Sequence, residues 1–285
     1  MEKKVNQTKM KRKWGMAIDL DKCTGCGQCS IACNQENNMP IFEDDSDVPK
    51  RVAFLELMKV TNDRDAKFPD VKTAYLPKMC QQCEGGTKDP QAPCVSVCPA
   101  VATDVGEDGV VSQIWSRCIG CRYCQAACPY EARAFNWWKP RYEGTFKNAL
   151  STEVSIASRG TIVKCTFCSH IWKRERDKMV AQAFAEKDQD KAKYLLDINS
   201  VLYTPACASA CPTGAIVFGD LNDPNSEVSK LAKSERASRL AHSIDDESEE
   251  KRAQFTKKKD FANPKVYYLT SQKWLRAMMR FKKNS

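Results

Sequence analysis

Residues 118–129 read CIGCRYCQAACP, and residues 23–33 read CTGCGQCSIAC. Both contain the run C-x2-C-x2-C-x3-C. Two further quartets, Cys80, Cys83, Cys94, Cys98 and Cys165, Cys168, Cys207, Cys211, open with C-x2-C and close with C-x3-C around a longer centre. Together the four groups use all 16 cysteines of the 285-residue chain. Proline follows the last cysteine at Pro99, Pro129 and Pro212, whereas Asn34 follows Cys33.

Three chemistries compete for such cysteines. Disulfides staple small secreted scaffolds; this chain is long enough to bury a core, and C-x2-C is poor disulfide spacing. Zinc fits the fourth quartet taken alone, but three cysteines within seven residues do not suit a metal whose sites take two separated pairs. The iron–sulfur reading fits every quartet. In the C-x2-C-x2-C-x3-C-P run, a tight loop aims three sulfurs at three irons of one cube, and the next helical turn points the fourth sulfur at another cluster. Gly25, Gly27 and Gly120 suit close backbone approach, with N–H groups facing sulfur. At four ligands per cluster, the 16 cysteines predict four [4Fe–4S] clusters.

Composition narrows the rest. Lys and Arg exceed Asp and Glu by 45 to 36, a formal charge of +9, with 42% hydrophobic residues. A thiolate-bound cubane carries about −2, so four contribute about −8 and nearly cancel that excess. The basic balance is matched to the chain's own cofactors, and no nucleic-acid partner is predicted. No apolar run approaches the length of a membrane span; the longest apolar-rich stretch, VAFLELMKV at 52–60, has the length of a strand. The start, MEKKVNQTKMKRKWG, lacks the apolar region of a signal peptide and the arginine pair of a twin-arginine leader. His170 and His242 are the two histidines, and no CxxCH occurs, which excludes c-type haem attachment.

The second and third quartets are joined by 19 residues, PAVATDVGEDGVVSQIWSR, which read as a hairpin-like link turning at Gly-Glu-Asp-Gly. That is ordinary two-cluster ferredoxin spacing. The fourth quartet is followed by PTGAIVFGD, like a strand leaving a first ferredoxin half, and the first is preceded by WGMAIDLDK, like a strand entering a second half. These two strands are predicted to pair. The fold class is then α+β: two ferredoxin-like two-cluster modules, one inserted in the other. Module A comprises residues 14–34 plus 160–221, and module B residues 75–140. The ligand swap of the motif gives Cys23, Cys26, Cys29 with Cys211; Cys165, Cys168, Cys207 with Cys33; Cys80, Cys83, Cys94 with Cys128; and Cys118, Cys121, Cys124 with Cys98.

Over residues 14–221 this pattern resembles the four-cluster iron–sulfur (beta) subunits of the dimethyl sulfoxide reductase superfamily. Members of that family serve polysulfide, tetrathionate and nitrite-linked reductases, alternative complex III, and the menaquinone reductase complex of sulfate reducers. The same nested pairing is what the resemblance implies. Some relatives have tryptophan at the second cysteine of the third quartet and a [3Fe–4S] cluster there; Cys121 stands at this position, so four cubanes are implied. One departure is the ten residues between Cys83 and Cys94, EGGTKDPQAP, longer than the family's usual loop. The resemblance also implies a large molybdopterin-type subunit, or a cofactor-less homologue, near the cluster of Cys23. A quinone-binding membrane subunit would lie near that of Cys118, with a cytochrome c subunit as a further candidate partner.

Four stretches lie beyond the cysteine loops themselves. Residues 35–74 read as an acidic loop followed by a strand. Residues 171–203 read as a helical insertion whose Trp172, Met179, Val180 and Phe184 form one face, most simply covering the chain's own cluster module. PYEARAFNWWKPRY after the third quartet interleaves Trp137, Trp138 and Tyr142 with Arg133, Lys139 and Arg141. It reads first as cover for a cluster, and alternatively as contact with a membrane subunit at headgroup level. Residues 222–285 read as an extension for subunit contacts, with Ser226 a helix N-cap and 242–260 a solvated charged run. Its end carries Tyr267, Tyr268, Trp274, Met278, Met279 and Phe281, costly to leave in water and so read first as partner-bound, and alternatively as packed on the chain's own body.

No acid–base pair, nucleophile arrangement or phosphate loop appears. The chain reads as a non-catalytic electron-transfer subunit of a membrane-associated, peripheral complex in a respiratory chain, placed on the periplasmic side by co-export with a partner. A cytoplasmic place is the simpler reading of its own N-terminus. Two other classes stay open: a multi-cluster subunit of a soluble hydrogenase or formate dehydrogenase, and a zinc-bearing binding module.

Overall fold

The computed structural model describes residues 12–40, 52–63, 65, 67–86, 90–106, 108–142, 144–188, 191, 202–240 and 262–279. Its centre is strand β1 (Trp14–Asp19), buried along its whole length. The strand alternates: Trp14, Met16 and Ile18 join the large core around the cysteines, while Ala17 packs with Val228 and Leu269 on the opposite side. A strand covered on both faces needs neighbours on both edges, and β1 has them. On one edge β8 (Ile216–Asp220) pairs antiparallel, from Trp14↔Asp220 to Ile18↔Ile216. This is the pairing expected between the two ends of the cysteine region. On the other edge β10 (Val266–Leu269) runs parallel, from Met16↔Val266 to Asp19↔Leu269. β9 (Ala237–Ser238) completes the sheet, in the order β8-β1-β10-β9. Gly15 makes the crowding possible: a Cβ there would lie 2.3 Å from Leu221 and 2.9 Å from the Lys265 carbonyl.

The parallel strand corrects the reading of residues 222–285. Ser226 does cap a helix, α6 (Glu227–Ala232), accepting from the Ser229 N–H at 3.2 Å. The aromatic tail, however, closes the chain's own sheet. Val266, Tyr268 and Leu269 are buried, and α7 (Lys273–Met279) buries Leu275 and Met279. The free edge of β1 offers both backbone partners and an apolar face, so the tail needs no other subunit to leave water. Tyr267 and Trp274 are half-buried and Met278 is exposed; Phe281 and 242–260 lie outside the described residues.

Three two-stranded antiparallel sheets accompany this sheet. β2 (Leu55–Thr61) overlaps the strand expected at 52–60 and pairs antiparallel with β3 (Thr73–Met79), a strand not expected from the sequence. β4 (Thr103–Val105) and β5 (Val111–Gln113) form the hairpin expected between the second and third quartets. β6 (Ala134–Phe135) pairs with β7 (Ile162–Val163). Short helices follow the cysteine loops: α1 (Gln28–Glu36), α2 (Pro93–Ser96), α3 (Tyr123–Ala126) and α5 (Ala206–Ser209). The helical insertion is α4 (Ser169–Ala185); residues 189, 190 and 192–201 of the expected range lie outside the described ones. Its apolar face differs from the one expected. Trp172 and Ala183 are buried, but Met179 and Phe184 are exposed. At 3.6 residues per turn Phe184 falls about 120° from Trp172, too far round to share its face.

Candidate metal centres

The four C-x2-C steps share one backbone device. Their third residue is left-handed in every case: Gly25 (φ 75), Gln82 (φ 49), Gly120 (φ 72) and Phe167 (φ 55). The reversal lets the loop curl round its sulfurs. Glycine is also demanded by space at Gly120, where a Cβ would meet the Gly160 carbonyl oxygen at 2.4 Å. Gln82 and Phe167 lack glycine's freedom and are held by burial instead. Gln82 accepts from the Val111 N–H at 2.8 Å and donates to the Cys165 carbonyl at 2.7 Å, tying the second quartet to the fourth. The side chain of Phe167 packs edge-on to Phe218, and its N–H lies 3.4 Å from Cys165 Sγ.

The C-P turns share a second device. Three residues past the last cysteine the chain is again left-handed, at Val101, Glu131 and Gly214. The next N–H then returns to sulfur, from Ala102 to Cys98 Sγ at 3.2 Å and from Ala215 to Cys211 Sγ at 3.3 Å. The Ala132 N–H does the same for Cys128. Burial pushes the Cys98 thiol up, but N–H bonds from Thr103, Ala102 and Ala100 outweigh it and leave the thiol below its ordinary value. At Cys211 burial is likewise outweighed, by the Thr213 hydroxyl and the Ala215 and Ile216 N–H groups.

Cysteines distant in sequence come together. Cys23, Cys26, Cys29 and Cys211 line one cavity with Leu57 and Pro77. Burial, then Cys23 and Cys211, push Cys29 up to about 11. Burial raises Cys33 well above its ordinary value, and Cys165, Cys168 and Cys207 add to it. Cys83 is raised by burial and then by Cys80, Cys128 and Cys94. Cys124, also raised first by burial, faces Cys94 and Cys98. Cys118 and Cys121 stand in the loop before Cys124, with Cys121 exposed. Neighbouring groups also touch electrostatically. Cys207 faces Cys29, and Cys165, pushed up to about 12 chiefly by burial, faces Cys80. The groups therefore follow one another in a single series.

Arg133 belongs inside this series and not with the surface basic residues of its segment. It is 3% exposed, donates from Nη1 to Gln113 at 2.9 Å and Thr103 at 3.3 Å, and leaves Nη2 without a protein partner. Burial lowers its pKa, but Cys94, Cys124, Cys80 and Cys128 outweigh that and raise it. Trp137 and Trp138 are 48% and 50% exposed, with the Arg122 guanidinium 4.7 Å over the Trp137 ring. Tyr142 instead donates to the Asn38 carbonyl.

The donor sets suit iron–sulfur clusters. All 16 cysteines are free. Among the described residues no three His, Cys, Asp or Glu side chains are placed to hold a single metal ion. Thiols raised by burial give up their protons only to a cation that replaces them, and a cluster supplies that charge.

Comparison with known proteins agrees. Residues 117–215 match a 4Fe-4S dicluster domain, and residues 14–35 a 4Fe-4S binding domain. The first match joins quartets adjacent in sequence, whereas the cysteines that face the fourth quartet come from the first and the second. The menaquinone reductase iron-sulfur cluster-binding subunit of Nitratidesulfovibrio vulgaris is 41% identical over 94% of this chain and 92% of its own length. The chain belongs to the iron–sulfur subunits of the dimethyl sulfoxide reductase superfamily. Family members of lower identity include the Hdr-like menaquinol oxidoreductase iron-sulfur subunit 1 of Archaeoglobus fulgidus, at 34% over 80% of this chain and 78% of that one. The arsenate respiratory reductase iron-sulfur subunit of a Shewanella species is 33% identical over 77% and 86%. As a member of this family the chain is an electron-transfer subunit of an oxidoreductase complex, not its catalytic one. The zinc module and the soluble hydrogenase-type subunit are set aside.

Proposed function

We propose that the chain binds four [4Fe–4S] clusters in two nested ferredoxin-like modules and links a molybdopterin-type catalytic subunit to a quinone-binding membrane subunit. The ligand sets are Cys23, Cys26, Cys29, Cys211; Cys33, Cys165, Cys168, Cys207; Cys80, Cys83, Cys94, Cys128; and Cys98, Cys118, Cys121, Cys124. A cubane held by four thiolates takes up and gives back one electron. The protein supplies everything else: it orders the sites, excludes water from the middle ones and leaves the outer ones accessible.

One observation carries this reading. The exposed cysteines are Cys26 and Cys121, one in each outer set beside buried Cys29 and Cys124, while the inner sets hold no exposed cysteine and bury Cys33, Cys80, Cys165, Cys168 and Cys207. That is the burial profile of a wire with two contact ends. Near Cys121 the same loop exposes Ile119 and Tyr123, and the Arg122 guanidinium lies 4.7 Å over the exposed Trp137 ring. Aromatic and basic side chains collect at membrane interfaces, which supports placing this end against the membrane subunit. Menaquinone chemistry in the names of two relatives supports a quinone of that type. Among the described residues no helix is long and apolar enough to cross a membrane, in keeping with peripheral attachment. The periplasmic face, reached by co-export with a signal-bearing partner, is the side proposed.

The complex purified anaerobically should hold about 16 irons in this chain. Cys211→Ser should remove the paramagnetic signal that Cys26→Ser also removes, and no other. A count near eight with zinc in the remainder, or loss of two different signals, overturns the assignment.

A further inference from the structure

Three of the four closing cysteines receive a backbone N–H from the fourth residue beyond them, through the left-handed turn that follows proline. The first quartet has no such turn. Asn34 replaces proline, α1 continues through Glu36, and the Asn37 N–H donates to the Cys33 carbonyl at 3.1 Å. The N–H that would reach sulfur elsewhere is thus used by the helix end.

The Asn37 side chain occupies the place left open. It is 3% exposed. Its Nδ2 lies 2.8 Å from the Cys33 carbonyl oxygen, 3.7 Å from Cys33 Sγ and 3.9 Å from Cys168 Sγ. An amide nitrogen carries two hydrogens. One is taken by the carbonyl, and the other faces the two sulfurs. Both flanks are anchored. The Glu36 carboxylate lies 2.7 Å from His170 Nε2, and the Asn38 amide donates to Ser151 and Val154 carbonyls at 2.8 and 2.7 Å. A side chain so fixed is preorganised toward those sulfurs.

We infer that Asn37 is the N–H···S donor of the cluster assigned to Cys33, Cys165, Cys168 and Cys207, standing in for the backbone N–H that the three C-P turns supply. The inference rests on that ligand set. Asn37 is a positioning residue, because it exchanges no atom. When the cluster accepts one electron, its neighbour in the series loses one, and the added negative charge falls on sulfurs that the amide faces. A donor there favours the reduced form and raises the reduction potential.

The test is a redox titration of the intact complex followed by electron paramagnetic resonance. Cys168→Ser first marks which signal belongs to this cluster; Cys33→Ser must remove the same one, and if it does not, the ligand set fails rather than the role of Asn37. Asn37→Leu keeps bulk and removes the donor. It should move the marked cluster to a more negative potential and leave the other three unmoved. An unmoved marked cluster, or an equal shift in all four, overturns the inference. Should Asn37→Leu fail to load this cluster, Asn37→Ser decides, since its hydroxyl is too short to reach the sulfurs. A lowered potential supports the role and an unchanged one refutes it. If both variants lose this cluster while the other three load, Asn37 serves folding and not tuning.

Discussion

At the residue scale each candidate ligand relies on neighbours that hold its loop, a left-handed third residue in every C-x2-C step and an N–H aimed at sulfur beyond every C-P turn. Cysteine spacing is a covalent pattern, so all 16 can be grouped from the sequence. Gly25 and Gly120 stand out because a left-handed position in a tight loop favours glycine. Gln82 and Asn37 do not. Gln82 is held left-handed by partners at Val111 and Cys165, and Asn37 owes its place to a missing proline three residues earlier. Arg133 misleads for a related reason: it sits in a basic stretch whose other members face outward. A buried guanidinium with an unpaired Nη2 among cysteines is costly unless negative charge balances it. The thiols that raise its pKa come from the second and third quartets together. Arg133→Met should therefore lower the potentials of two clusters, those assigned to Cys80 and to Cys118, while Arg133→Lys should restore much of the shift. A spectroscopic titration that finds neither cluster moved removes Arg133 from the conduit.

At the element scale, periodicity finds what is local. β1 and β8 carry apolar runs beside their quartets, and the ferredoxin pattern predicts that they pair, which they do. β10 escapes because its parallel partner lies some 250 positions away, and because an aromatic stretch between charges looks alike whether it meets another subunit or its own sheet. The consequence is that the last described segment is structural. It bonds to both cluster regions: Lys265 N–H donates to the Gln81 carbonyl at 2.9 Å, Gly85 N–H to Ala262 at 3.0 Å, and Met16 N–H to Lys265 at 3.1 Å. Tyr268 adds a hydroxyl that donates to Pro77 at 3.0 Å and accepts from Gln81 at 3.2 Å. Tyr268→Phe should cost about 1 kcal/mol, the net worth of a hydrogen bond. Tyr268→Ala should cost about 3–5 kcal/mol through the cavity it leaves. Thermal unfolding of the loaded complex checks both, and a full-strength Tyr268→Ala protein would show that the tail packs elsewhere.

At the scale of the whole molecule, the proposed ligand sets draw on quartets distant in sequence, and the two exposed cysteines, Cys26 and Cys121, fall in the sets proposed as the outer ones. The exposed aromatic and basic side chains near Cys121 support the direction proposed, and Cys121→Trp tests it. Cys121 is the second ligand of its loop, so its loss leaves one iron weakly held while Cys118, Cys124 and Cys98 keep the other three, and a [3Fe–4S] cluster is expected. The three remaining sets share no ligand with it and should stay as cubanes. Paramagnetic resonance should then show one new signal in the oxidised protein and three unchanged reduced ones. If this cluster faces the membrane subunit, quinone-coupled turnover should fall, because electrons must cross the altered site. Turnover with a soluble dye that exchanges electrons with the cluster at the exposed Cys26 end should survive, because that route reaches the catalytic subunit without crossing the altered site. Loss of both activities together would place the altered cluster between the dye and the catalytic subunit, and the direction assigned to the wire would have to be reversed.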